Sequence, residues 1–186
     1  PCRSGKTTVF CGMAAAAVNH NLTVLILATR TKLVRQINER MDSMHIRHGV
    51  IAAEMPGYML GSARVQVASV DTLYRRCIVD RKMPLPSADI LIFDEAHLAL
   101  GTSRQKILNA YPNAWKFGFT ATPHGSRLGE QFDRLVLGPE INTLIKSGAL
   151  VRPRIFNKEL VTEQELNKLK VDSKTKDYVT GEASKL

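Results

Sequence analysis

The stretch Asp89-Ile90-Leu91-Ile92-Phe93-Asp94-Glu95-Ala96-His97 constrains this chain more than any other. Four consecutive apolar residues, bulky or β-branched, run into two adjacent carboxylates. An apolar run this short reads as a strand buried on both faces, and such a strand belongs in a parallel sheet covered by helices. Its carboxyl end then puts Asp94 and Glu95 at the rim, where open α/β sheets bind ligands. Burying a charge is costly unless it is paired or bound to metal. A magnesium ion meets that requirement: one carboxylate holds the ion, directly or through water, and the other orients or deprotonates an attacking water. Taken alone, these residues also fit a strand that ends in a solvated acidic loop.

A second feature favours the metal. Ser4-Gly5-Lys6-Thr7-Thr8 precedes an alanine-rich helical stretch and matches the second half of a phosphate loop, the Gly-Lys-Ser/Thr end of G-x-x-x-x-G-K-[ST]. In such a loop, backbone N–H groups and the helix N-terminus cradle phosphate oxygens. The lysine reaches the terminal phosphates, and the threonine hydroxyl binds magnesium.

The chain of 186 residues suffices for one domain with a core, and 44% hydrophobic residues exclude a disordered chain. No apolar run is long enough to span a membrane, and no signal peptide is evident. The net charge of +9 and a pI near 9.7 predict attraction to polyanions, nucleic acid first, although the same charge can serve solubility alone. Cys2, Cys11 and Cys77 lack metal-binding spacing and fit reduced thiols in a cytoplasmic compartment.

Strand and helix signals alternate along the chain. A helix over 7–19 ends at Asn19-His20-Asn21, and a buried strand covers 22–28. A helix capped by Thr31 runs to about Met44. A short strand spans 48–53, a loop 54–62 and a strand 65–68, and a helix is capped by Ser69 or Asp71. Beyond the acidic strand come a helix over 103–110, a strand over 115–119, a loop over 124–139, a short helix over 140–146 and a last strand over 151–156. The alternation argues for a doubly wound sheet. His20, His45 and His48 have no companions at ligand spacing and read as surface or satisfied residues. Trp115 and His124 read as structural, and Arg75-Arg76 and Arg81-Lys82 as solvated charge.

Four stretches at expected strand ends occur in one order: Gly5-Lys6-Thr7, Thr29-Arg30-Thr31, Asp94-Glu95-Ala96-His97 and Thr120-Ala121-Thr122-Pro123. The run Val67 to Leu73 lies between the second and third. This order resembles the first RecA-like domain of superfamily 2 helicases. With Phe132-Asp133 and Leu144 to Leu150, it looks closest to the DEAD/DEAH helicases related to type III restriction subunits, many of them phage-encoded. The resemblance covers residues 1 to about 157 and implies an α/β, RecA-like P-loop NTPase domain, mostly parallel, with helices on both faces. It divides the chain into an ATP-binding domain over 1–160 and a polar, lysine-rich tail or linker over 161–186.

The resemblance also implies roles. ATP would lie against Arg3, Ser4, Gly5, Lys6, Thr7 and Thr8, with Lys6 on the β- and γ-phosphates. Thr7 and Asp94 would hold Mg²⁺, Glu95 would position or activate the hydrolytic water, and His97 would sense the γ-phosphate and communicate with the Thr120-Ala121-Thr122 loop. Thr120, Ala121 and Thr122 would couple hydrolysis to domain movement. Arg30, Ser69 and Thr72 would touch the backbone of nucleic acid, DNA before RNA. Arg30 alone reads equally as a solvated loop arginine.

Against the family pattern, Arg3 stands where glycine is common, and the chain is expected to lack the strand that feeds the loop and the second RecA-like domain. The chain is therefore expected to be half of an ATP-dependent helicase or translocase, nearly inactive alone. The competing expectations are a nucleic-acid-binding fragment without ATP turnover and a small-molecule kinase. The Thr120 to Pro123 stretch argues against the kinase.

Overall fold

The apolar runs form parallel strands of one sheet. In a computed structural model, which describes residues 5–55, 61–98, 101–123 and 128–152, the strands are β1 (Val24–Ala28), β2 (His48–Ile51), β3 (Val65–Ser69), β4 (Ile90–Asp94) and β5 (Trp115–Phe119). Their order across the sheet is β2-β3-β1-β4-β5, and every neighbouring pair is parallel. The expected α/β architecture is therefore present.

Successive side chains of a strand point to opposite faces, and this alternation sorts the apolar runs into two cores. Val24, Ile26 and Ala28 of β1 join Val65, Val67 and Ile92 in one core; Leu25 and Leu27 join Ala68, Leu91 and Phe93 in the other. The first core is covered by α1 (Lys6–Asn19) and α2 (Thr31–Ser43). The second is covered by α3 (Val70–Leu73), its continuation in a wider π-type turn over Tyr74–Val79, and α4 (Thr102–Asn109). A further short helix, α5 (Ile141–Lys146), carries no fully buried residue.

The helices form for local reasons. In α1, Phe10, Cys11, Ala14 and Ala17 are buried at helical spacing, and the small alanines let the helix approach the sheet closely. Its end is set by His20 and Asn21, whose N–H groups return to Ala17 O and Val18 O, with Asn21 in the left-handed region at φ 61°. In α2, Val34, Ile37, Asn38 and Met41 face inward. Buried Asn38 is matched by His48 at the start of β2, whose ring spans Ile46 O at 2.7 Å and Asn38 Oδ1 at 2.9 Å. At the opening of β1, Thr23 donates through its N–H and its hydroxyl to Asp89 Oδ2, both at 2.7 Å, and this ties β1 to the start of β4.

Several boundaries differ from expectation. Arg30, not Thr31, is the N-cap of α2: it is extended at φ −128°, and its carbonyl accepts from Leu33 and Val34, which leaves Thr31 as the first helical residue. Ser69 is the N-cap of α3 but gives no side-chain capping bond. β2 stops at Ile51. Val151 and Arg152 lie outside any strand, and the rest of the strand expected there lies outside the described residues. Chain contacts separate Pro1–Leu150 from Val151–Leu186 as two units. Among the described residues, Cys11 and Cys77 are free thiols, and no helix is long and apolar enough to cross a membrane.

Ile26 sits at the centre of the middle strand, fully buried, between Val67 and Ile92. Ile26→Ala should cost about 2–5 kcal/mol through lost transfer energy and an unfilled cavity. Urea unfolding should show a lower midpoint at unchanged slope. A loss below about 0.5 kcal/mol, the size of a neutral surface change, would contradict this packing.

Candidate active site

The strand register brings the expected site residues to one rim. Ala28 pairs with Ser69, and Asp94 pairs with Phe119, so Thr29-Arg30, Ser69, Asp94-Glu95 and Thr120 all follow the carboxyl ends of adjacent strands. Gly5 stands at the start of α1 with φ 80°, a conformation that favours glycine, and Lys6 and Thr7 follow as half-buried residues of the first turn. Arg3 and Ser4 lie outside the described residues.

Asp94 ends β4 with only 6% of its surface exposed. The chain then turns sharply: Glu95 adopts φ 55°, left-handed and strained for a residue with a side chain. Two hydrogen bonds hold the turn, from Glu95 N–H to Asp94 Oδ1 at 3.1 Å and from Leu98 N–H to Glu95 O at 3.0 Å. Ala96 is thereby pressed into the second core at 1% exposure, while Glu95 and His97 stay at the rim, each about one-third exposed.

His97 links this turn to the end of β5. Its Nδ1 lies 3.0 Å from Thr120 Oγ1 and 3.3 Å from Glu95 Oε2. Thr120 Oγ1 also accepts from Thr122 N–H at 3.1 Å. A proton on Nδ1 serves both neighbours, because a bare Nδ1 would aim its lone pair at the Glu95 carboxylate. Glu95, His97, Thr120 and Thr122 thus form one connected set, with Ala121 half-buried between the two threonines.

Burial raises the Asp94 carboxyl above the ordinary range, and the neighbouring charge of Glu95 pushes the same way. The Glu95 N–H and the nearby Lys6 ammonium pull against them. Two carboxylates opposed by one cation suit a divalent ion. Among the described residues no group of three or more His, Cys, Asp or Glu side chains could hold a metal by itself. Magnesium needs only one or two protein ligands and completes its shell with water and phosphate oxygens. Asp94 and Thr7 would be those ligands.

The nucleic-acid candidates are not joined to this set by any described side-chain contact. Arg30 is exposed at the rim, Thr72 is half-buried on α3, and Ser69 is nearly covered at 6% exposure.

Three supports of the site had no motif to reveal them. Arg40 of α2 donates through its guanidinium to Thr8 Oγ1 at 3.1 and 2.6 Å, fastening α2 to the first turn of α1. Phe10 meets Phe119 edge to face, with ring centroids 5.4 Å apart, so the helix that opens at Lys6 touches the residue before Thr120. Gly118 faces Ala96 and Phe132, and a Cβ there would lie 2.8 Å from the Ala96 Cβ and 2.7 Å from the Phe132 ring. The only sequence signal for these was the helical spacing that buries Phe10 beyond Lys6.

A family model described as "Type III restriction enzyme, res subunit" matches residues 1–125. The chain is 25% identical over 181 residues to a 51.5 kDa protein of a Lactococcus phage (isolate 7-9), a match covering 96% of this chain and 35% of that protein. Among solved structures it is similar to the Hef helicase domain of Pyrococcus furiosus, at TM-score 0.57 and 24% identity over 68% of this chain and 29% of that one. It is also similar to the UvsW helicase of bacteriophage T4, at 0.54 and 22% over 69% and 47%. The SWI2/SNF2 ATPase core of Sulfolobus solfataricus, solved in complex with dsDNA, matches at 0.51 and 16% over 71% and 28%. The chain therefore spans about a third of the phage relative and less than half of these structures. The shared architecture is a RecA-like fold, a parallel sheet with helices on both faces.

Two outcomes follow from the site's packing and charge. Asp94→Asn should stabilise the metal-free chain at neutral pH, because the raised carboxyl favours folding only while it is protonated. The advantage of the Asp94→Asn variant over the parent should shrink as pH falls through the carboxylate range and vanish below about 3.9, the ordinary aspartate value. Thermal unfolding of both proteins in chelator across that range checks this, and a difference independent of pH would contradict it. Gly118→Ala should cost about 1–3 kcal/mol by overpacking, read by thermal unfolding, and should move the acidic turn through Ala96. An unchanged midpoint would mean that the turn is not seated against β5.

Proposed function

Because the chain belongs to the family described as type III restriction enzyme, res subunit, we propose that it is the ATP-binding part of a nucleic-acid helicase or translocase, acting on DNA in preference to RNA. The observation that carries this is the bridge from the acidic turn to Thr120 through His97, beside the Lys6 end of α1. It gives a change at the phosphates a path into the Thr120-Ala121-Thr122 segment. The double-stranded DNA held by the SWI2/SNF2 ATPase core is what favours DNA in this reading.

In this proposal Gly5, Lys6, Thr7 and Thr8, together with Arg3 and Ser4, receive the phosphates of ATP, with the Lys6 ammonium on the terminal ones. Asp94 and Thr7 hold Mg²⁺, which when bound offsets phosphate charge. Glu95 orients the water that attacks the terminal phosphorus. Its left-handed backbone turns that carboxylate back over the rim, where His97 holds it through Nδ1. Loss of the terminal phosphate changes what Glu95 and His97 face, and His97 passes that change to Thr120. Arg30, Ser69 and Thr72 contact the nucleic-acid backbone, Ser69 contributing little surface. The partner required is a second RecA-like domain whose arginine completes the phosphate site, a group of a kind worth about 10³–10⁵ in rate. The chain without such a partner hydrolyses ATP slowly.

Removing the Lys6 charge deletes a charge-assisted contact of about 1.5–3 kcal/mol. Calorimetry should therefore show Mg-ATP affinity lower by roughly one to two orders of magnitude in Lys6→Ala. In Glu95→Gln, ATP binding should persist while phosphate release, with or without added DNA or RNA, falls to background. Unchanged affinity in Lys6→Ala would overturn the assignment of the phosphate site.

A further inference from the structure

We propose that the turn following α3 is a second contact for nucleic-acid phosphates, formed by Arg75, Arg81 and Lys82 and separate from the rim. The proposal rests on the nucleic-acid function above and extends it to a surface on the second face of the sheet.

The ridge is built by packing. Leu73 is fully buried, and Tyr74, Cys77 and Ile78 pack against the second core, so Arg75 stands outward on the π-type turn while Arg76 is half-buried. After Val79 the chain folds back over this turn. Asp80 N–H donates to Arg75 O at 2.7 Å, and Lys82 N–H donates to Arg76 O at 2.8 Å. Arg81, between them, takes a left-handed backbone at φ 52°. Residues far apart along an extended chain are thereby stacked side by side.

Asp80 serves two of these cations. Its Oδ2 lies 3.7 Å from Arg75 Nε and 3.6 Å from Lys82 Nζ. The side chain of the acid is 27% exposed, whereas those of the two cations are 79% and 76% exposed. What meets the solvent is thus positive. On the α4 side the ridge continues with Lys106, whose Nζ donates to Tyr74 Oη at 3.2 Å and lies 5.7 Å from that ring's centre. Gathering like charges in this way is repulsive until a polyanion covers them.

The position suits a nucleic-acid strand. α3 starts at the rim beside Ser69 and carries Thr72, and its ten residues to Val79 span about 15 Å, roughly four phosphates at 3.4 Å each. A backbone that touches the rim at Arg30 and Thr72 and follows α3 and the turn after it reaches the ridge. A membrane surface fits poorly, because the apolar side chains of this turn, Val79 apart, pack inward, and interfacial binding needs an apolar face.

The test is fluorescence anisotropy of the whole chain with single- and double-stranded DNA, and with poly-glutamate, at several salt concentrations. The variants are Arg75→Gln/Arg81→Gln/Lys82→Gln, the single change Arg81→Glu in case the triple variant misfolds, and Arg30→Gln. Circular dichroism and Mg-ATP affinity should match the parent in the ridge variants. Each lost phosphate contact lowers the magnitude of the salt slope by about 0.9 on duplex DNA, so the triple variant should lose about two to three, with weaker binding at every salt. Arg30→Gln should lose about one, and the losses should add when the sets are combined. The proposal is overturned if the ridge variants keep the parent's DNA affinity and slope while Arg30→Gln weakens, or if they lose only poly-glutamate. If the parent binds no DNA even at low salt, the ridge proposal fails together with the nucleic-acid part of the function, and Mg-ATP binding decides the remainder independently.

Discussion

A nearly buried carboxylate at the end of an apolar strand is the constraint on which the site depends. Asp94 is held at 6% exposure because β4 is covered on both faces and flanked by β1 and β5. Water cannot solvate it fully, and Glu95 beside it adds a second negative charge. The surroundings answer with the Lys6 ammonium from α1 and with the Glu95 N–H. Without a strand that places Asp94 at the covered edge of two cores, neither the left-handed turn at Glu95 nor the convergence of α1 on it would have a purpose.

The parts around that carboxylate are fastened by a few contacts between distant segments. His97 connects the acidic turn to Thr120, and Thr120 in turn accepts from Thr122. Phe10 against Phe119 and Arg40 on Thr8 tie the first half of α1 to β5 and to α2. Gly118 leaves the room in which Ala96 and Phe132 meet β5. These contacts are small one by one. They act on the same two or three residues from different sides, and close packing passes a shift at one on to the others.

Charge is arranged on two levels. Around the candidate site it is sparse, with Asp94 nearly buried and Lys6 and Glu95 only partly exposed, so each group matters. On the turn that follows α3 it is dense and exposed, with Asp80 among the cations. Both arrangements follow from the alternation that buries one side of each element and leaves the other in water.

By itself the sequence determined the strands, the helices over them and the residues at their carboxyl ends. Apolar runs bounded by polar turns, the Gly5-Lys6-Thr7 loop and the Asp94-Glu95 pair are local patterns, and local patterns reflect burial and backbone preference within a few residues. The order β2-β3-β1-β4-β5, the grip of Arg40 on Thr8 and the stacking of Lys82 over Arg76 were decided only by the tertiary structure, which also gave the expected link of His97 to the Thr120 loop its atoms. Arg75-Arg76 and Arg81-Lys82 read in the chain as ordinary solvated charge, and the cap of α2 fell one residue before the threonine expected there. Such features depend on how helices rotate over the sheet and on which strands become neighbours. Apolar periodicity states which face is buried; what lies opposite that face is fixed only when segments tens of residues apart pack together.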